Sequence, residues 1–300
     1  MTSPAQRHRF VIASEEAGLR LDQALAAHVP GLSRRKARAL IDMGGAYVDR
    51  ARVKVAGRTL RPGQEIVAVI GPAFDRATKE VGRDARARDE ADLPPFRIVH
   101  TDDDLVVVDK PAGLLTAPTP ESDRGNLARL LGERLGAPVS VVHRLDLGTS
   151  GLLVFARNED TNRALAEVFR THDVTRAYLA ALAGRVAWDQ KDITEPIAGK
   201  RARSTFEVLE RIGDEVTFVR CTLHTGRTHQ IRLHALGAGH AVLGDAQYGA
   251  RTPHDPPRMA LHATVLGFVH PRTKEPLRFE SPWPEELQRW MDALRARCED

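Results

Sequence analysis

The chain has 300 residues, 42% of them hydrophobic and 28% charged, which exceeds one compact domain of usual size and excludes a disordered or fibrous protein. Its two cysteines, Cys221 and Cys298, match no metal spacing and exclude a disulfide framework, as suits a reducing cytosol. The opening MTSPAQRHRFVIASEE lacks the apolar stretch of a signal peptide, and no run near about 18 apolar residues occurs, so a cytoplasmic protein with no membrane partner is expected.

In chain order, Leu19, Leu21, Ala24 and Leu25 predict a first helix, ended by Pro30-Gly31. Ser33 is the predicted N-cap of a second helix, on which Ala37, Leu40 and Ile41 share one arc while Arg34, Arg35 and Arg38 occupy the next. After the Gly44-Gly45 stop, AYVDRARVKV and QEIVAVI alternate as short strands on either side of the turn Arg61-Pro62-Gly63. Between Gly18 and Arg61, ten Lys or Arg stand against three Asp, an excess of seven positive charges in a chain whose total is +4. That concentration is the electrostatic footprint of a polyanion-binding module.

Residues 72–93 carry dense mixed charge without apolar periodicity and predict a linker. The expected organisation is therefore a small domain over 1–71 (core 18–70), a linker over 72–93 and a large domain over 94–300. In the large domain IVH, LVVVDK, LLVFAR, AYLAAL and EVTFVRCTL predict strands, and Thr161–Arg170 and Glu285–Arg297 predict helices. Strands joined by turns, with separate helices, point to an α+β class.

Four segments carry the candidate chemistry. VVHRLDLGTSG, ahead of the strand LLVFARN, presents Arg144 and Asp146, a pair that by itself reads as an ordinary turn ion pair. DKPAGLL, from Asp109 to Leu115, is a strand-ending turn. RAYLA sets Tyr178 in a strand, where a tyrosine is most often a core residue with its hydroxyl satisfied. LHTGRTHQIRLH, from Leu223 to His234, is dense in hydrogen-bond donors, with a metal site or a solvated face as the plain alternatives. His224, His229 and His234 are spaced five apart and converge on neither a helix nor a strand, so no metal is expected. No Gly-rich phosphate loop, dinucleotide fingerprint or GxSxG elbow supports nucleotide-dependent or serine-hydrolase chemistry.

Taken together and in order, DKPAGLL, HRLDLGTSGLLVFARN, RAYLA, GRTHQIRLH, GDAQYG and LHATVLGFVHP resemble the signature series of the RluA family of pseudouridine synthases over residues 95–283. GLRLDQAL followed by LSRRKARALI resembles the S4 RNA-binding domain, in agreement with the charge count. The resemblance implies a mainly antiparallel sheet with flanking helices and a central cleft, joined to a small α+β S4-like domain. It implies cofactor-independent isomerisation of uridine in RNA: the N-glycosidic bond is cut, the uracil turns, and carbon 5 is joined to the sugar. Asp146 matches the catalytic aspartate, a carboxylate of ordinary pKa about 3.9 that a neighbouring guanidinium would keep ionised. Arg232 matches the arginine that orients it, a task suited to a bidentate fork. Tyr178 matches the tyrosine that packs on the target base, and Arg144 the residue that fills the space of a flipped nucleotide. Lys110, Arg227 and His229, with His143 and Ile231 beside them, are expected RNA or loop contacts, and Arg34, Arg35 and Arg38 are the S4-like contacts. Arg176 stands where the family usually has lysine, no histidine occurs near Ala117, and VDRARVKVAGR is longer than the usual S4 turn. The expected partner is large-subunit ribosomal RNA, with transfer RNA as the alternative substrate and a non-catalytic RNA-binding or ribosome-assembly protein as the competing class. A carboxylate-pair glycosidase lacks its second acid in LDLGTSG. A monomer is expected.

Overall fold

The computed structural model describes residues 5–71, 74, 93–118 and 125–299. Of the segment expected as a linker, only residues 74 and 93 are among them. The chain divides into two compact units, residues 1–93 with 117–129, and residues 94–116 with 130–300. Among the described residues no helix is long and apolar enough to cross a membrane.

The first unit holds α1 (Leu21–His28), α2 (Arg34–Met43) and the strands β1 (Gln6–Val11), β2 (Ala46–Val48), β3 (Ala51–Arg52) and β4 (Glu65–Ile70). The strands form an antiparallel sheet in the order β1-β4-β2-β3. As the sequence predicts, Ser33 caps α2 by accepting the Lys36 N–H at 3.3 Å, and the helix stops at Gly44, whose φ of 84° is left-handed. Ala37, Leu40 and Ile41 are wholly buried against Leu21, Leu25 and Ile66. β1 is not predicted: QRHRFV shows no apolar alternation, and the strand exists by pairing with β4 from Gln6↔Ile70 to Val11↔Glu65.

The guanidinium patch of α2 is partly spent inside the unit. Asp22, with no side-chain exposure, takes Arg20 Nε at 3.0 Å and Arg38 Nε at 2.8 Å, with Arg34 at 3.8 Å. Burial pushes this carboxyl up, but the hydrogen bonds from Arg20 and Arg38 outweigh it and hold its pKa at about 2. Arg35 is exposed.

The second unit is built on β5 (Arg97–Thr101), β6 (Leu105–Lys110), β7 (Ser140–Val141), β8 (Ser150–Ala156), β9 (Thr175–Ala183), β10 (Gln190–Ile193), β11 (Ser204–Ile212), β12 (Val216–Leu223), β13 (Leu261–Val269) and β14 (Pro276–Glu280). Their order is β10-β11-β12-β9-β13-β8-β6-β5, with β14 on β13 and β7 on β8. Every pairing is antiparallel except β8 with β13, where Ser150 faces His262 and Gly151 faces Ala263. This mixed, mainly antiparallel sheet is the expected α+β architecture. The helices are α3 (Leu127–Leu135), whose first residues are counted with the first unit, then α4 (Glu159–Thr171), α5 (Gln230–Gly237) and α6 (Glu285–Glu299).

β8 is buried along its whole length and runs out of the turn that carries Asp146. The strand position facing β13 admits only glycine: a Cβ on Gly151, at φ +114°, would lie 2.2 Å from the Ala263 carbonyl oxygen. The apolar residues of β6, β8 and α4 pack as one core with Leu266 and Phe268, and a second core joins Ala181 and Val216 to Leu287, Met291 and Leu294 of α6. The segment bearing Asp146 therefore leads directly into a fully buried strand.

Candidate active site

The residues of HRLD, RAYLA and GRTHQIR meet around one cavity of about 540 Å³ in the second unit. Asp146 lies on the turn between β7 and β8, which its own carbonyl closes by accepting the Thr149 N–H at 3.1 Å. Thr116 braces that turn from the neighbouring loop. Its hydroxyl donates to the Leu145 carbonyl at 2.9 Å and accepts the Leu145 N–H at 3.2 Å, fixing the residue before the aspartate. Gly113 of the DKPAG turn adds a backbone bond to the Leu147 carbonyl at 2.8 Å. The backbone of the loop is thus held on both sides of Asp146.

Arg232, on α5 and only 6% exposed, reaches the carboxylate with one nitrogen, Nη1 to Asp146 Oδ2 at 2.9 Å. Its bidentate face is turned elsewhere, a difference from the expected pairing. Nε and Nη2 grip Asp245 at 2.6 and 2.8 Å, and Nη2 also meets Gln247 Oε1 at 3.2 Å. Asp245 accepts the N–H groups of Gln247 and Tyr248, and the Tyr248 ring lies 4.8 Å from the guanidinium. Burial pushes the Asp245 carboxyl up, but Arg232 and these backbone donors bring it below the usual range. Two carboxylates on one guanidinium leave the group with a net negative charge. Asp146 Oδ1 has no hydrogen-bond partner among the described residues, and His229 Nε2 lies 3.7 Å from it.

His229 opens α5 from a left-handed backbone, φ 55°, unusual for a side chain of this size. Its Nδ1 lies 2.9 Å from the Tyr248 hydroxyl, and burial lowers its pKa against the pull of Asp146, so the ring is neutral at pH 7. Tyr178, from β9, lines the same cavity, and burial raises its hydroxyl to about 12, which keeps it a proton-bearing group.

The other predicted site residues fall into different places. Arg144 is exposed on the cavity rim, and Arg227 lines it while donating Nε to the Arg201 carbonyl at 3.0 Å. Ile231 is buried in the wall. His143 also lines the cavity, but its Nε2 accepts the Val154 N–H at 3.1 Å and its ring stacks on Phe169, so burial, with Arg176 nearby, drops its pKa to about 3. Lys110 departs from the expected RNA contact. It is wholly buried, its ammonium donating to the Pro111 and Leu114 carbonyls at 2.9 and 2.8 Å, where it holds the DKPAG turn together.

The three histidines have separate partners: His224 meets Thr205, His229 meets Tyr248, and His234 meets Ser204 and the Glu195 carbonyl. Asp102, Asp104 and His270 do gather apart from the cavity, but their carboxylates are already taken by His100, Arg272 and Asn158. Sequence reasoning did not assign Asp245, Gln247, Tyr248 or Thr116. The motif GDAQYG contains the first three, yet nothing in its spacing points to Arg232, 13 residues earlier.

Comparison with other proteins agrees with this geometry. Residues 104–236 match the family described as RNA pseudouridylate synthase, and residues 19–66 match the S4 domain. The chain is 34% identical over 310 residues to the uncharacterized RNA pseudouridine synthase YlyB of Bacillus subtilis, covering 95% of this chain and 97% of that one. It is 35% identical over 309 residues to the ribosomal large subunit pseudouridine synthase D of Nitrosomonas europaea, covering 93% and 85%. Among solved structures, human RNA pseudouridylate synthase domain containing 1 superposes with a TM-score of 0.53 at 28% identity, over 72% of this chain and 98% of that one. The chain belongs to the RluA-type RNA pseudouridine synthases with an S4 domain. It is an isomerase of uridine in RNA.

Proposed function

We propose that this enzyme modifies large-subunit ribosomal RNA, with Asp146 as the essential carboxylate. Relatives named for the large ribosomal subunit support the substrate. The observation that carries the site assignment is the unequal hold on Asp146: Oδ2 is fixed by Arg232, while Oδ1 has no hydrogen bond in a cavity of nucleoside size. A carboxylate so placed can act on the electron-deficient sugar carbon as the N1–C1′ bond breaks. The uracil then turns, C5 joins C1′, and the proton lost from C5 balances the one gained at N1. Arg232 orients the carboxylate, the Tyr178 ring supports the base with its hydroxyl protonated, and Arg144 on the rim fills the space left by the extruded nucleotide. Arg227 and His229 contact the RNA strand. In this reading residues 1–71 are the S4-like domain, 72–93 the linker and 94–300 the catalytic domain, and Arg34, Arg35 and Arg38 offer the first domain's positive face.

Pseudouridine mapping at single-nucleotide resolution across total RNA tests this, comparing cells with and without the gene and adding back wild type or Asp146→Asn. Sites in large-subunit ribosomal RNA are expected to vanish without the gene and to return with wild type only. Sites confined to transfer RNA would move the substrate assignment, and restoration by Asp146→Asn would remove the aspartate from its role.

A further inference from the structure

Two arginines are buried among the described residues, Arg232 at 6% and Arg176 at 8% exposure. Arg232 is neutralised by two carboxylates, but Arg176 has no acidic partner among the described residues. Its Nη2 lies 3.5 Å from His172 Nδ1, its Cζ sits 5.7 Å over the Phe169 ring, and its Nη1 presses on Gly226, where a Cβ would come within 2.9 Å. Its Nε is fully enclosed and makes no hydrogen bond. A guanidinium in this state carries the desolvation cost of burial with no anion to offset it, so its environment is completed by something from outside.

The side chain lines the cavity that holds Asp146. Arg176 and Tyr178 are two apart on β9, hence on one face and about 7 Å from each other along the strand. Arg227 and His172 line the same wall, and the anion that RNA brings there is its backbone phosphate. The planar fork of arginine matches two phosphate oxygens at once.

We propose that Arg176, flanked by His172 and Gly226, is the seat of a phosphodiester adjoining the target uridine, so that the strand is gripped one step from the base on Tyr178. This rests on the placement of the base made in the preceding subsection. Lysine at this position keeps the charge but not the fork.

The test uses the RNA fragment around a uridine located by the mapping experiment, with binding measured on the full chain in an Asp146→Asn background to prevent turnover. Adding Arg176→Gln is expected to weaken binding roughly tenfold at low salt. It should also flatten the slope of log Kd against log salt by about one, and Arg176→Lys should retain the slope. A single methylphosphonate beside the target should weaken binding by the Arg176 form to a similar degree and leave Arg176→Gln unaffected. The proposal is overturned if Arg176→Gln keeps the salt slope, even with slower turnover, since the arginine would then serve the base or the fold. If Arg176→Gln does not fold, the methylphosphonate scan with the Arg176 form decides: insensitivity at every flanking phosphate also overturns it. Failure of the wild type to convert the uridine would strike the reading of the site, not this one.

Discussion

At Arg232 the donors are unevenly divided, two nitrogens on Asp245 and one on Asp146, and the aspartate is thereby oriented without being enclosed. Lys110 shows the same economy beneath the neighbouring turn, tying two carbonyls together from a fully buried position. Burial draws its pKa down to about 7, with Asp146 opposing the shift and Arg258 adding to it. The unfolded side chain titrates near about 10.4, so between about pH 7 and 10 the unfolded chain binds a proton that the folded chain lacks. Lys110 thus makes stability rise with pH across that window, by up to about 1.4 kcal/mol per pH unit. Denaturant titrations of wild type and Lys110→Met at several pH values check this. The wild-type advantage is expected to grow from neutral to alkaline pH, and the difference cancels contributions from other groups such as Cys221, whose thiol burial pushes up. A pH-independent difference would place the lysine's proton elsewhere.

Among the elements, β8 and its junction with β13 set the position of the turn that bears Asp146. At Gly151 the obstacle is backbone, the Ala263 carbonyl and amide, which cannot swing aside as a side chain would. Gly151→Ala is expected to destabilise by about 3 kcal/mol or more. Gly113→Ala, with a similar left-handed φ of 83° but no atom within 4 Å of the new Cβ, should cost only about 1 kcal/mol of backbone strain. Equal denaturation midpoints for the two variants would refute the argument. Elements with local signals were legible in the sequence: α2 has a serine cap, a glycine stop and a clean apolar arc. β11 and β13 were not among the predicted strands, and each carries a register shift, between Val208 and Glu210 and between Ala263 and Val265. The site divides in the same way. Asp146, Tyr178 and Arg232 were readable from the order of motifs. The bracing by Thr116 and the Asp245 clamp arise from contacts between separate loops, and Arg176 was legible only as a substitution for lysine, its lack of a counter-ion being a property of the folded cavity.

For the whole chain, the excess positive charge of the first unit makes a separate claim. Deleting residues 1–72 is expected to weaken RNA binding and to reduce the steepness of its salt dependence, with about six as the ceiling on the lost slope. The true loss should fall below that ceiling, because Arg20, Arg34 and Arg38 are engaged with Asp22. Unchanged affinity and unchanged slope on a salt titration would dismiss an RNA-binding role for the first unit. The parallel junction of β8 with β13 also bears on the order in which the protein is made. Ser150 and its partner His262 are 112 residues apart, and Asp146 and Arg232 are 86 apart. A chain emerging amino-terminus first completes its basic unit early and cannot seat the turn of Asp146 until residue 263 has left the ribosome. Its positive surface therefore precedes its chemistry during synthesis, and a product cut short before residue 263 is a chain with charge but without the pairing that seats the Asp146 turn.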